Sequence, residues 1–163
     1  DRFDHIKLGE FASRGVSPRM KQTARDFQAA GVRVQLAEDL AAARWGKLVW
    51  NVPSNGLAAG LGVDCSMLMG HAGPLVPALR FEVVAAARAV VGHTIPTSFV
   101  ETMLNNTRNM TAYKPSMMID REMGRPLEVE AIYGEPTRRA EAAGAEVPKM
   151  RMLYEQLQLL DRL

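Results

Sequence analysis

Apolar and polar positions follow one rhythm up to about residue 37 and another beyond it. HIKLGEF (5–11) alternates loosely and ends near Gly9, and VRVQL (32–36) alternates apolar and polar, the period-two signature of a strand. Between them, SPRMKQTARDFQAAG (17–31) places Ser17 as N-cap, Pro18 in the first turn and Gly31 at the stop, which predicts a helix. Residues 1–37 therefore predict β-α-β. Two strands and one helix cannot bury a sheet face unaided. This stretch is expected to be the tail of a larger α/β domain, and the chain, which starts at Asp1 without an initiator Met, a piece of a longer protein.

From AEDLAAARWGKLVW onward the alternation disappears and Ala, Leu, Met, Glu and Arg dominate, residues that favour helices. A long helix is predicted over about 38–60, apolar on more than one side and hence central. Further helices are predicted over 74–92, closed by Gly92, over 94–110, over 116–124, over 126–144 with a Gly-Glu-Pro interruption, and over 148–163 with Pro148 at its start. The expected architecture is mainly α: about six helices in a body at 38–163, preceded by the β-α-β remnant at 1–37. No internal repeat or low-complexity tract interrupts it.

Composition narrows the function classes. A chain of 163 residues, 47% hydrophobic and 23% charged, suffices for one compact domain with a sizeable core. A formal charge of +2 without a dense Lys/Arg block gives no footprint for nucleic acid. No apolar run reaches the ~18 residues of a membrane span. Cys65 is the single cysteine, so no internal disulfide can form and a reducing, cytoplasmic setting is expected. His5, His71 and His93 have no zinc-ligand spacing, and no metal is expected. Trp45 and Trp50 read as core anchors, Tyr133 and Tyr154 as half-buried, and Cys65 as an inert buried thiol. His71, in GHAG, reads as a loop residue. Met67, Met69, Met103, Met110, Met117, Met118, Met150 and Met152 read mostly as core filling.

Two segments carry candidate chemistry. In KLVWNVPSN (47–55), Lys47, Asn51 and Asn55 recur every fourth residue and make a slanted polar stripe about 12 Å long on the central helix. Pro53 lacks an N–H, so the Val49 carbonyl loses its usual partner and a kink is expected. Gly56 and Gly60 would let another group approach closely. A solvated face would account for one lysine, and asparagines often merely bridge neighbours. The apolar flanks make such a face harder to accommodate, and an amine with two amides suits a small anion bearing keto or hydroxyl oxygens. In KPSMMIDREMGRPLEVEAIYG (114–134), Ser116 opens a short helix where its hydroxyl could cap or meet an anion. Glu128 lies two residues past Pro126, where a plain acid at a helix start is an equal alternative.

These segments, in this order and about 60 residues apart, resemble the C-terminal domain of the ketopantoate reductase family (2-dehydropantoate 2-reductases). The likeness extends to IKLGE and EDLAAARWGKLVWN near the start and to AEAAGAEVPKMRMLYEQLQLLD at the end. The resemblance implies a helical domain of the 6-phosphogluconate-dehydrogenase-like type, joined to an N-terminal Rossmann domain across an active-site cleft. It also implies NADPH-dependent reduction of ketopantoate to pantoate, on the way to pantothenate and coenzyme A. By position, Lys47 would be the catalytic acid toward the ketone. Asn51 and Asn55 would bind substrate, Ser116 would hold its carboxylate, and Glu128 would hold its hydroxyl end. The chain departs from the family pattern at Pro115, Leu127 and Glu130, where Ser, Thr and Asp are common, and Pro53 between the asparagines is also unusual.

The chemistry is consistent with those roles. Hydride delivery to a ketone builds charge on oxygen, which a positioned cation stabilises and protonates. A lysine acting as an acid near neutral pH calls for partial burial among apolar groups. No G-x-G-x-x-G follows a strand in this sequence, and GLAAGLG (56–62) belongs with a helix. The 163 residues alone are therefore not expected to bind NADPH productively; the missing Rossmann half would supply that site. Lys114 is a further candidate positive charge for an acidic substrate. Two alternatives stay open: a related reductase of another 2-keto or hydroxy acid, and a non-catalytic helical dimerisation module. Exposed sheet edges and helical surfaces make a homodimer plausible.

Overall fold

The Ser17 hydroxyl accepts a hydrogen bond from the Met20 amide at 3.1 Å and starts α1, Pro18–Ala29, from the N-cap position that the sequence predicts. The structure, a computed structural model, describes residues 5–11, 13–108 and 112–163. The chain divides into two compact units, Asp1–Arg44 and Trp45–Leu163.

In the first unit, β1 (His5–Gly9) and β2 (Arg33–Ala37) flank α1 and pair in parallel, with His5 opposite Arg33 and Gly9 opposite Ala37. This is the predicted β-α-β. Met20 and Ala24 are the buried face of α1. Every residue of both strands is exposed or half-buried, so the two-stranded sheet has no fully covered face within the unit.

The second unit is helical. Its axis is the stretch of α2 (Leu40–Leu61) from Trp45 onward, whose Val49, Val52, Leu57, Ala58 and Ala59 are buried. Around it follow α3 (Cys65–His71), α4 (Leu75–Val91), α5 (Thr97–Arg108) and α6 (Ser116–Glu122). A π turn (Glu130–Gly134) then leads into α7 (Glu135–Ala142), and α8 (Pro148–Leu160) closes the unit. GLAAGLG is the end of α2 rather than a phosphate-binding turn.

Three expectations about elements are corrected. The body holds one more helix than predicted among the described residues, because Asp64 caps α3 by accepting from the Ser66 and Met67 amides at 2.8 and 3.0 Å. His71 is accordingly the last residue of α3 rather than part of a loop. The predicted helix over 126–144 does run on through its Gly-Glu-Pro interruption, but it begins at the turn near Glu130 rather than at 126. Pro136 cannot donate, and the turn before it widens so that the Glu135 amide reaches the Glu130 carbonyl.

Burial corrects several side-chain expectations. Trp45 is buried, whereas Trp50 is half-buried and meets Tyr113 edge-on, with centroids 5.9 Å apart. Tyr133 and Tyr154 are both buried, at 0% and 5% exposure, rather than half-buried. Among the methionines, Met117, Met118 and Met150 are core, Met69 and Met103 pack against it, and Met67 and Met152 are exposed. Met110 lies outside the described residues.

Cys65 is fully buried, and its amide donates to the Tyr113 carbonyl at 3.0 Å. Burial first, then the neighbouring Asp64 carboxylate, pushes its thiol from an ordinary value near 9 up to about 11. The unfolded chain ionises first as pH rises. The contribution of Cys65 to stability is therefore intact below the ordinary value and is lost as pH climbs toward about 11. Alkylation by iodoacetamide near pH ~8 should be about 100-fold slower in the folded protein than in the denatured one. Equal rates measured by mass spectrometry would contradict this burial.

Candidate active site

The stripe on α2 runs from water into the core. Lys47 is exposed, Asn51 is half-buried, and Asn55 is buried at 2% exposure. This gradient follows from the helix pitch: each four-residue step turns the stripe by about 40° toward the packed side of α2. The partial burial expected for the Lys47 amine is corrected: Lys47 is on the solvent side of α2, while Trp45 and Val49 on either side of it face the core.

Asn55 joins α2 to the second segment. Its Oδ1 accepts the Met117 amide at 3.3 Å, which satisfies a donor at the start of α6. The residue before α6, Pro115, has no side chain that can cap it. Arg121, a turn further on, donates to the Ala59 carbonyl of α2. The two contacts dock α6 against the end of α2 and fix Ser116, the first residue of α6, beside the stripe. The Ser116 hydroxyl forms no hydrogen bond among the described residues, so it does not cap its own helix.

The acidic segment approaches α2 through Tyr133. The Tyr133 hydroxyl lies 3.1 Å from the Val52 carbonyl oxygen and 3.3 Å from that of Asn51. Gly56 faces the same ring: a Cβ there would fall 2.7 Å from the hydroxyl oxygen. Gly56 thus serves the close approach anticipated for it, whereas a Cβ at Gly60 would meet open space.

The two glutamates of LEVEA part company. Glu130 accepts from Tyr154 at 2.5 Å, from Arg138 at 3.1 Å and from Gln158 at 3.2 Å. The Tyr154 hydroxyl first, then Arg138, hold its carboxyl below the ordinary range. Glu130 therefore ties the π turn to α8. The Glu128 side chain is exposed and makes no hydrogen bond or ion pair among the described residues, and the same holds for the Lys47 side chain. No such contact joins Lys47 to Asn51, Asn55, Ser116 or Glu128. An open cavity of about 380 Å³ is lined by Glu128, Glu130, Gln158, Asp161 and Arg162 among others, but by none of the stripe residues. Of the five candidate site residues it holds Glu128 alone, on the α8 side of the segment.

Other candidate charges are committed elsewhere. Lys114 pairs with Glu122 at 2.7 Å, and Arg125 pairs with Asp120 at 2.7 Å. Among the described residues no group of three or more His, Cys, Asp or Glu side chains could hold a metal ion, and no helix is long and apolar enough to cross a membrane. Sequence reasoning missed the role of Tyr133; Gly56, flagged for close approach, and Pro53 nearby were the signal for it.

Residues 39–161 match the family described as "Ketopantoate reductase PanE/ApbA C terminal". A 2-dehydropantoate 2-reductase of Nostoc sp. is 44% identical over 98% of the chain, which covers 51% of that protein. Among solved structures, the 2-dehydropantoate 2-reductase of Geobacter metallireducens superposes with a TM-score of 0.90 at 40% identity, over 95% of this chain and 52% of its own. That of Methylococcus capsulatus gives 0.88 at 35% identity, over 96% and 50%. The chain spans about half the length of these relatives.

Proposed function

The chain belongs to the family of ketopantoate reductase C-terminal domains, and from that premise we propose that it is the helical, substrate-binding part of an NADPH-dependent 2-dehydropantoate 2-reductase. Residues 1–37 would then be the end of its nucleotide-binding domain and residues 38–163 its substrate-binding and catalytic domain. The uncovered strands of the first unit support this, since further strands would complete the sheet.

The described residues do not themselves fit a dinucleotide. GLAAGLG is the end of α2 and follows no strand, so it is not a strand–glycine turn–helix cradle for a pyrophosphate. A nicotinamide cofactor held by the other half of the full-length protein would supply the hydride. The residues of this chain act on the keto acid. As the carbonyl carbon receives hydride, its oxygen becomes an alkoxide. The Lys47 ammonium offsets that charge and donates its proton, leaving a neutral amine and a secondary alcohol. Lys47 is exposed in this chain, so the burial that a lysine acid near neutral pH calls for would have to come from the other half of the full-length protein and the bound substrate.

Asn51 orients the substrate oxygens with its amide, and Asn55 contributes from the buried end of the stripe. The unpaired Ser116 hydroxyl binds the carboxylate, and Glu128 accepts from the hydroxyl end. The observation that carries the proposal is the Asn55–Met117 hydrogen bond, which ties the lysine helix to the serine helix. A pocket for a charged keto acid needs both on one rigid support.

The test is turnover of ketopantoate by the full-length protein with NADPH, compared with other 2-keto acids of similar size. Preference for ketopantoate supports the proposal, and turnover of none of them contradicts it. Glu128→Ala should raise KM for ketopantoate about tenfold or more while lowering kcat less, the pattern of a lost binding contact. An unchanged KM would remove Glu128 from the site.

A further inference from the structure

We propose that Tyr133 is a positioning residue for the Lys47 helix, its hydroxyl wedged into the backbone of α2 between Asn51 and Asn55. The inference rests on the reductase reading for its consequence, and on geometry alone for the wedge.

Pro53 begins the argument at the backbone. It has no N–H, so α2 cannot close its regular ladder at Val49, and a proline inside a helix bends it. Three residues further on, Gly56 exposes bare backbone. Tyr133, at 0% exposure, lies directly against it. Its hydroxyl shares one proton between the Val52 carbonyl at 3.1 Å and the Asn51 carbonyl at 3.3 Å, and the Gly56 amide faces the same oxygen. In an unbroken helix the Gly56 amide would donate to Val52 alone. The hydroxyl sits at that seam. Burial drives its ionisation far above the ordinary range, so it stays a neutral donor throughout any working pH.

Gly56 and Tyr133 are matched to each other. A Cβ at residue 56 would lie 2.7 Å from the hydroxyl oxygen, 2.9 Å from Leu153 Cδ2 and 3.0 Å from Tyr133 Cε1. The oxygen cannot retreat easily, because its ring is enclosed and its backbone belongs to the π turn that Glu130 ties to α8. Lys47 and Asn51 lie before the seam and Asn55 after it. The wedge therefore ties α2, between the exposed and buried ends of the stripe, to the segment that begins with Glu128.

The full-length protein tests this with a double-mutant cycle. Tyr133→Phe keeps the ring and deletes the hydroxyl. Gly56→Ala should lower the thermal midpoint clearly when Tyr133 is intact, and by measurably less in the Tyr133→Phe background, where the 2.7 Å clash is gone while those with Leu153 and the ring carbon remain. Additive shifts would overturn the wedge. For turnover, Tyr133→Phe should lower kcat for the keto acid about tenfold or more with KM changed less than about threefold, as expected when reacting groups are slightly misplaced. Tyr133→Phe with kcat within about twofold of wild type would overturn the positioning role. If the wild-type protein reduces no keto acid, the reductase reading falls, and the stability cycle still decides the wedge.

Discussion

Lys47→Ala in the full-length protein is expected to lower kcat for ketopantoate by about 10²–10⁴-fold, the range of a lost general acid. Two contributions vanish together: the charge that faces the growing alkoxide and the proton that quenches it. The fold should hardly notice. The Lys47 side chain is exposed and makes no hydrogen bond or ion pair among the described residues, and alanine is a better helix former than lysine. The thermal midpoint should stay within a few degrees, which separates a chemical loss from unfolding. A variant that unfolds early would show instead that Lys47 supports the helix.

Glu82→Ala is expected to give the largest loss of stability. Glu82 lies on α4 at 8% exposure, yet its carboxylate works at the start of α8. It accepts the Lys149 amide at 2.9 Å, the Met150 amide at 2.9 Å and the Lys149 ammonium at 3.1 Å. The residue before α8, Val147, offers no side-chain cap, so the carboxylate from α4 takes that place. Alanine would leave those amides with no partner in a largely dry place, at a cost of about 2–4 kcal/mol. For a protein of this size that lowers the midpoint by about 5–15 °C. Glu82→Gln, which keeps an acceptor, should cost less. Calorimetry of the three proteins checks the order, and equal midpoints would show that water satisfies the amides.

Glu82 also shows where the sequence falls silent. In LRFEVV it is one acid in an apolar run, and nothing local says that it will cap a helix more than sixty residues away. What could be read was local. The Ser17–Pro18 start, the Gly31 stop and the alternation of VRVQL gave β-α-β because each acts within a few residues of itself. The seven residues of α3 were too few for periodicity, and the Asp64 cap before them was the only signal. Tyr133 and Trp50 exchanged their expected burial, since which aromatic enters the core depends on which helix face meets it. The same limit applies at the candidate site. The spacing of Lys47, Asn51 and Asn55 placed a stripe on one helix, but not its gradient from solvent to core. Only tertiary contact showed that Asn55 holds the Ser116 helix and that Glu130, beside Glu128, is already occupied.

The most direct test of the role given to Lys47 is chemical rescue. Lys47→Ala in the full-length protein, supplied with ketopantoate and NADPH, should regain turnover in proportion to added ethylamine, while wild type gains nothing. A variant that turns over at the wild-type rate without the amine would contradict the account.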